Sequence, residues 1–327
     1  MTGNLTEAQM NQALLRAAEL NHSNLIGLLL DNGADITSVN EQGRTPIEIA
    51  ARQGNVAAID ALLGSEAEIP QEMMRTALEA ACALERTWAI DILLEDGNIP
   101  QATKDQILIR EVREGRRVNA GLLLNHGANI EVQEFVTENT PLQIAAENQD
   151  VQMLRTLLTS GHPIQGEALS AALVAASQQF DAAPILETIL NHAQVPQAGL
   201  DEVLLTLSAR DEVNLVNLLI ERGANIDATN EQGETPLIRA AWNGQAAVAE
   251  TLLVHGANIG IEDNEGLNAA EHAENEEHEE IRARITTFPA LRIAAVDQAT
   301  GLIPDLAGIV GGYLDTAHPA EPAQQGE

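Results

Sequence analysis

A pair of aliphatic residues followed by a turn returns along this chain at a nearly constant interval. It reads LLDNGADI from Leu29, LLGSEAEI from Leu62, LLEDGNI from Leu93, LLNHGANI from Leu123 and LLTSGHPI from Leu157. It continues as ILNHAQV from Ile189, LIERGANI from Leu219 and LLVHGANI from Leu252. A degenerate ninth copy places Ile285 at the same point, and the successive steps are 33, 31, 30, 34, 32, 30, 33 and 33 residues. A fixed period in this range marks a repeat architecture, in which each unit buries its apolar face on its neighbours. That pattern overrides length, since 327 residues would otherwise suggest about two ordinary domains.

Each unit has a legible plan. Thr45-Pro46, Thr140-Pro141 and Thr235-Pro236 each open a helix. Threonine accepts from the unpaired amides of the first turn, and proline fits the first helical position, where its missing N–H is not needed. The pairs Ala50-Ala51, Ala145-Ala146 and Ala240-Ala241 let that helix lie close to its neighbours. A short turn follows, with Gly54 and Gly244 in two units, and then a second amphipathic helix such as 56–63 or 247–253. Gly33, Gly127, Gly223 and Gly256 stand where a helix commonly ends on a left-handed residue. Segments such as 40–43 and 230–233 then make a tight turn. The three Thr-Pro units lie 95 residues apart, which points to duplication of a three-repeat block or to one nucleating unit per block.

The segments GRTPIEIAARQGN, ENTPLQIAAENQD and GETPLIRAAWNGQ, each followed by a helix and an aliphatic turn, resemble the ankyrin repeat. The resemblance covers roughly residues 8–286 and is specific at repeats two, five and eight. It implies an all-α fold: an ankyrin-repeat solenoid of about nine helix–turn–helix repeats with short β-hairpin fingers. The shorter units lack Thr-Pro, so their fingers are expected to be truncated, and repeat six carries extra residues between Ala176 and Ile185. Glu48, Gln143 and Ile238 stand where the family usually has histidine after Thr-Pro-Leu, which weakens a local hydrogen-bond network.

The array is assigned to 1–286, with a polar N-cap repeat over about 8–39 and a charged C-cap repeat over about 263–286. Residues 287–317 form an extension whose preferred role is to cover the last repeat, with a transport signal or a docking element as alternatives. Residues 318–327 are expected to be disordered. No stretch is apolar and long enough for a membrane span, and the first residues carry no signal-peptide pattern.

Charge constrains the partner. With 49 acidic and 17 basic residues the formal charge is −32, a field that repels nucleic-acid phosphates and favours a basic protein. Acidity serving solubility alone is the competing reading. Lys104 is the only lysine beside sixteen arginines, which suits work near ubiquitin ligases but also follows from codon bias. Lys104, Arg110, Arg113, Arg116 and Arg117 form a basic cluster suited to an acidic or phosphorylated peptide. Neutralisation by Glu111 and Glu114 is the favoured reading of that cluster.

No catalytic motif is recognisable, so no enzyme, catalytic residue or cofactor is expected. His272 and His278 flank an acidic run but lie six residues apart on different helix faces, so no metal site is expected there. Cys82 reads as a buried, inert thiol. Trp88 reads as a packing residue.

The family resemblance implies that a partner segment lies in a concave groove between the fingers and the first helices. Residues just beyond each Ala-Ala pair face that groove: Arg52 and Gln53, Glu147 and Asn148, Trp242 and Asn243. The fingers add Arg44 (with Glu41 and Gln42), Phe135 and Val136, and Glu231, Gln232 and Glu234. Arg113 and Arg117 complete the set. Trp242 is the sharpest candidate, because exposed tryptophan is a typical hot-spot residue. Folding over onto Arg210 or Gln245 is its alternative. The functional expectation is a monomeric, cytoplasmic binding scaffold, either a bacterial effector delivered into a host cell or a resident adaptor. The alternative function is an acidic mimic that occupies a nucleic-acid-binding partner.

Overall fold

A computed structural model describes residues 5–95 and 98–288; the extension and tail assigned above lie almost wholly outside the described residues. Every described element is a helix. Repeat one pairs α1 (Glu7–Glu19) with α2 (Ser23–Asp31), repeat two α3 (Pro46–Gln53) with α4 (Val56–Leu63), and repeat three α5 (Gln71–Ala83) with α6 (Thr87–Glu95). Repeat four pairs α7 (Gln101–Arg113) with α8 (Arg117–Asn125), repeat five α9 (Pro141–Glu147) with α10 (Val151–Leu158), and repeat six α11 (Gly166–Ser177) with α12 (Ala183–His192). Then follow α13 (Gln197–Ser208) with α14 (Val213–Glu221), α15 (Pro236–Trp242) with α16 (Ala246–Val254), and α17 (Ala269–Asn275) with α18 (279–288).

The chain forms two compact units, one up to Gly199 and one from Leu200. In the first unit the odd-numbered helices pack on one another in sequence, α1 through α11, and the even-numbered ones do the same from α2 to α12. Two helix layers result. In the second unit α14 packs on α16 and α15 on both α16 and α17.

The paired-aliphatic register forms the core. Leu29, Leu62, Leu93, Leu123, Leu157 and Ile189 in the first unit, and Leu219, Leu252 and Ile285 in the second, are all buried. Each such side chain contributes about 1.5–3 kcal/mol by leaving water. The Thr-Pro starts behave as the sequence implies. Thr45, Thr140 and Thr235 accept hydrogen bonds from the amides of Glu48, Gln143 and Ile238 at 3.3, 3.4 and 3.2 Å.

Two features depart from the sequence reading. The fingers contain no β-strand among the described residues. Each is a turn closed by one backbone pair, Asn40 to Arg44, Glu134 to Asn139, Asn230 to Glu234 and Asp263 to Leu267, because too few residues flank the turn to extend a ladder. Repeats without a finger also lengthen their first helix instead: α5 and α7 have 13 residues, where α3 has 8 and α9 and α15 have 7. Pro70 and Pro100, each following an isoleucine and preceding glutamine, start those longer helices. Val195-Pro196-Gln197 repeats that signal at α13.

Polar side chains strap neighbouring repeats together. At six of the inter-helix turns one side chain donates to a carbonyl at the end of the preceding repeat's first helix, where carbonyls lack intrahelical partners. In the first unit Asn55 donates to the Ala18 carbonyl (2.9 Å), Arg86 Nε to Arg52 (3.0 Å), Asn119 to Cys82 (3.0 Å) and Asn148 to Arg113 (3.3 Å). In the second unit Gln245 donates to Ala209 (3.4 Å) and His278 Nε2 to Trp242 (3.2 Å).

Candidate partner-binding surface

Three of the expected residues meet in the first unit. Arg44, Arg52 and Gln53 line an open groove with Gln9, Gln12 and Arg16, between the repeat-two finger and the ends of α1 and α3. Glu48 lies between the two arginines, 3.8 Å from Arg44 Nε and 3.9 Å from Arg52 Nη1. At those distances the guanidinium groups keep donors for another acceptor.

Five more converge around the repeat-five finger, with Glu134 as the hub. Its carboxylate accepts from Arg113 Nη2 and from the Thr137 hydroxyl, both at 2.5 Å. The Glu134 amide donates to the Asn139 carbonyl at 3.0 Å, and its carbonyl accepts from the Glu138 amide at 2.9 Å. Asn139 Nδ2 reaches both oxygens of Glu147, at 2.9 and 3.0 Å. Asn148, next in the chain, holds the end of α7 as described. The tip is therefore fixed to two helices, and it presents Phe135 and Val136 at 99% and 84% exposure. At that exposure the two apolar side chains are not part of the core.

The basic cluster is largely neutralised, as favoured above. Arg110 pairs with Glu79 at 3.3 Å, Arg116 with Glu111 at 3.2 Å and with Glu114, and Lys104 donates to the His126 carbonyl at 3.0 Å. Glu111 itself is fully buried. Burial pushes its carboxyl above the ordinary range, against the pull of Asn119 and Arg116. Arg117 stands apart, exposed at the start of α8 in the other helix layer.

In the second unit Trp242 ends α15 with 45% of its surface exposed. Its ring stacks on His272 of the cap repeat, centroids 5.4 Å apart. Asn243 Nδ2 caps the Arg239 carbonyl at 2.8 Å. Glu231 and Gln232 are exposed at the finger, while their carbonyls accept from Nδ2 and the amide of Asn264 at 2.9 Å each. Glu234 corrects the expectation. It is buried at 5% exposure, because its carboxylate accepts from Asn230 at 2.7 Å and from Arg239 at 2.9 Å. It closes the finger from inside and offers nothing outward.

Two residues outside the expected set change the picture. Trp88, expected to pack, is 76% exposed, because Ala89, Ile90 and Leu93 already fill the buried face of α6. Phe180, in the extra residues of repeat six, is fully exposed. Cys82 is buried, and its thiol is pushed far up by burial, as expected for an inert side chain. No described helix is long and apolar enough to cross a membrane.

A family model for ankyrin repeats in three copies matches residues 11–105, and another for many copies matches 219–273. The mouse B-cell lymphoma 3 protein homolog is 26% identical over 244 residues, covering 72% of this chain and 42% of that protein. The Caenorhabditis elegans ankyrin repeat and KH domain-containing protein mask-1 is 25% identical over 271 residues, covering 78% of this chain and 10% of its own length. Human ankyrin repeat and SOCS box protein 6 is 31% identical over 140 residues, which is 39% of this chain and 33% of that protein. The chain thus spans less than half the length of each of these relatives.

Proposed function

The chain belongs to the ankyrin-repeat family, whose arrays in general bind other proteins without catalysis, and from that premise we propose that it grips a protein partner chiefly through the repeat-five finger. The observation that carries this reading is the exposure of Phe135 and Val136 on a tip braced by Glu134, Arg113, Thr137, Asn139 and Glu147. A pre-ordered apolar anchor loses little entropy on binding, so most of its burial becomes affinity. Glu131, Glu134 and Glu138 flank the anchor in sequence, within a chain of net charge −32. The fitting partner carries an apolar cleft with a basic rim. The Arg44–Arg52 groove takes a separate acidic or polar segment of the same partner.

The test is affinity capture from cell extract with the full chain, compared with Phe135→Ser/Val136→Ser and with Arg44→Glu/Arg52→Glu. Loss of one retained protein with the finger variant supports the reading. Retention that ignores both variants and collapses only with added salt favours the alternative, an acidic decoy for a nucleic-acid-binding protein.

A further inference from the structure

The outer helix layer of the first unit carries a second unclaimed apolar surface, on repeats three and four. Trp88 is the second residue of α6 and Val118 the second of α8, 30 residues apart, the same step that separates Leu93 from Leu123. They hold the same register on two helices that pack side by side. Trp88 is 76% and Val118 63% exposed. One turn further along each helix stand Ile92 and Leu122, both half-buried, so each helix carries an outward apolar ridge as well as its inward one. Repeats two and five place Ala57 and Gln152 at this register, so the patch ends where they begin.

Charge around the patch is unlike the rest of the chain. Most arginines in the described chain are tied to a carboxylate, but Arg86, Arg117 and Arg155 make no ion pair among the described residues. All three border this surface: Arg86 two residues before Trp88, Arg117 beside Val118, and Arg155 on the adjacent α10. Of the nearby acids, Asp91 is engaged with His126 at 2.8 Å and Glu114 with Arg116, while Asp60, Glu85 and Glu95 are exposed at the margins of the patch.

We infer that the outer face of repeats three and four is a second docking surface, and that its occupant is an amphipathic helix from an acidic partner. Two parallel ridges on stacked helices leave a furrow into which the ridge of a third helix fits, and the helices of such a pair lie roughly 8–10 Å apart. The three arginines supply the complement to carboxylates flanking that helix's apolar stripe. Tryptophan with arginine is also the composition of interface centres. The surface is independent of the repeat-five finger, which belongs to the other layer.

The experiment is selection from a displayed library of helix-forming peptides, roughly four turns long, with Leu, Ala, Glu and Lys randomised at each exposed position. The bait is the full chain, and selected peptides are re-tested on Trp88→Ala, Val118→Glu, Arg117→Glu/Arg155→Glu and Phe135→Ser. Far-ultraviolet circular dichroism of each variant confirms that it is folded. The expected peptides are net acidic with leucines one turn apart, weaken about tenfold or more on Trp88→Ala, weaken with the arginine pair reversed, and ignore Phe135→Ser. Peptides that bind Trp88→Ala as tightly as the parent, or that are net basic, overturn the inference. So does sedimentation showing that the chain instead pairs with itself through Trp88.

Discussion

The indole of Trp242 lies nearly parallel to the imidazole of His272, with 18° between the planes, and His272 Nε2 reaches Asp263 Oδ2 at 2.6 Å. His278, in the same cap repeat, donates to the carbonyl of Trp242. The last repeat therefore holds Trp242 by ring and by backbone, so one face of the indole serves the cap and only the other is open to a partner.

His272→Ala removes the stack and leaves the buried Asp263 carboxylate without its ring partner. An unpaired buried acceptor of this kind costs about 1–3 kcal/mol. The expected result is a lower urea midpoint for the second unit and a red-shifted Trp242 emission, read in a Trp88→Phe background so that Trp242 is the sole reporter. An unchanged spectrum would show that the stack does not form in solution.

The same site makes stability depend on acid. Burial works to raise the Asp263 carboxyl, but the Leu267 amide, His272 and the Glu265 amide outweigh it, and the group is held below its ordinary value. A carboxylate lowered in the folded state stabilises fully above its unfolded value and loses that contribution as pH falls through the lowered one. Trp242 fluorescence against urea, repeated at stepwise lower pH, is expected to show this decline, and Asp263→Asn is expected to flatten it.

Backbone strain recurs at one register. The inter-helix turn holds a left-handed residue in seven repeats: Gly54, Gly115 and Gly244, but also Asn21, Glu85, Gln149 and Glu277, at φ of 60°, 54°, 55° and 61°. Asn21 offsets the conformation by accepting from the Ala58 amide at 2.9 Å; no such bond is seen for Glu85 or Gln149. Left-handed backbone costs a residue with a side chain about 1–2 kcal/mol, part of which glycine gives back as chain entropy. Glu85→Gly and Gln149→Gly are expected to stabilise by about 0.5 kcal/mol each. Gly244→Ala is expected to lose more than strain alone, since its Cβ would lie 2.9 Å from His278 Cε1. Thermal midpoints check all three.

Glu111 gives a second pH signature with the opposite sign. Its carboxyl is raised chiefly by burial, while Asn119 Nδ2 at 2.7 Å and Arg116 Nη1 at 3.2 Å hold it from the other side. A carboxyl raised in the folded state binds its proton more tightly than in the unfolded chain. Its contribution to stability therefore falls as pH rises from the ordinary carboxylate range through the raised value. Glu111→Gln keeps an acceptor for Asn119 and is expected to remove that fall. Glu111→Ala takes one acceptor from each of Asn119 and Arg116, which keep the Cys82 carbonyl and Glu114, and is expected to cost about 1–3 kcal/mol. Urea midpoints on either side of the window separate the two.

What could be read in the sequence follows from what is local. Thr45, Thr140 and Thr235 cap their own helices, and Leu29 through Ile285 repeat at a fixed step, so repeat number, helix starts and core register were visible. The Ile-Pro-Gln starts at 69–71 and 99–101 were equally local; reading them would have shown that α5 and α7 are long where α3 is short. Glu85 and Gln149 in left-handed turns were not visible, because repeat packing imposes a conformation their own preference opposes. The contacts of Trp242 with His272 and His278 span 30 and 36 residues and depend on rotamers. Glu234 and Trp88 were misplaced for one shared reason. Charge and apolarity set a burial expectation, but the Asn230–Arg239 bonds drew one in and a completed core left the other out.

The central claim is that Phe135 and Val136 anchor a protein partner. Its most direct test is the dissociation constant of the partner retained by the parent chain, measured by titration calorimetry against the parent and against Phe135→Ser/Val136→Ser at constant salt. Both residues are exposed, so the variant keeps the parent's thermal midpoint, and the account predicts that affinity drops by about thirtyfold or more, the signature of a hot spot. Affinity unchanged within about twofold, with the variant equally stable, would contradict it.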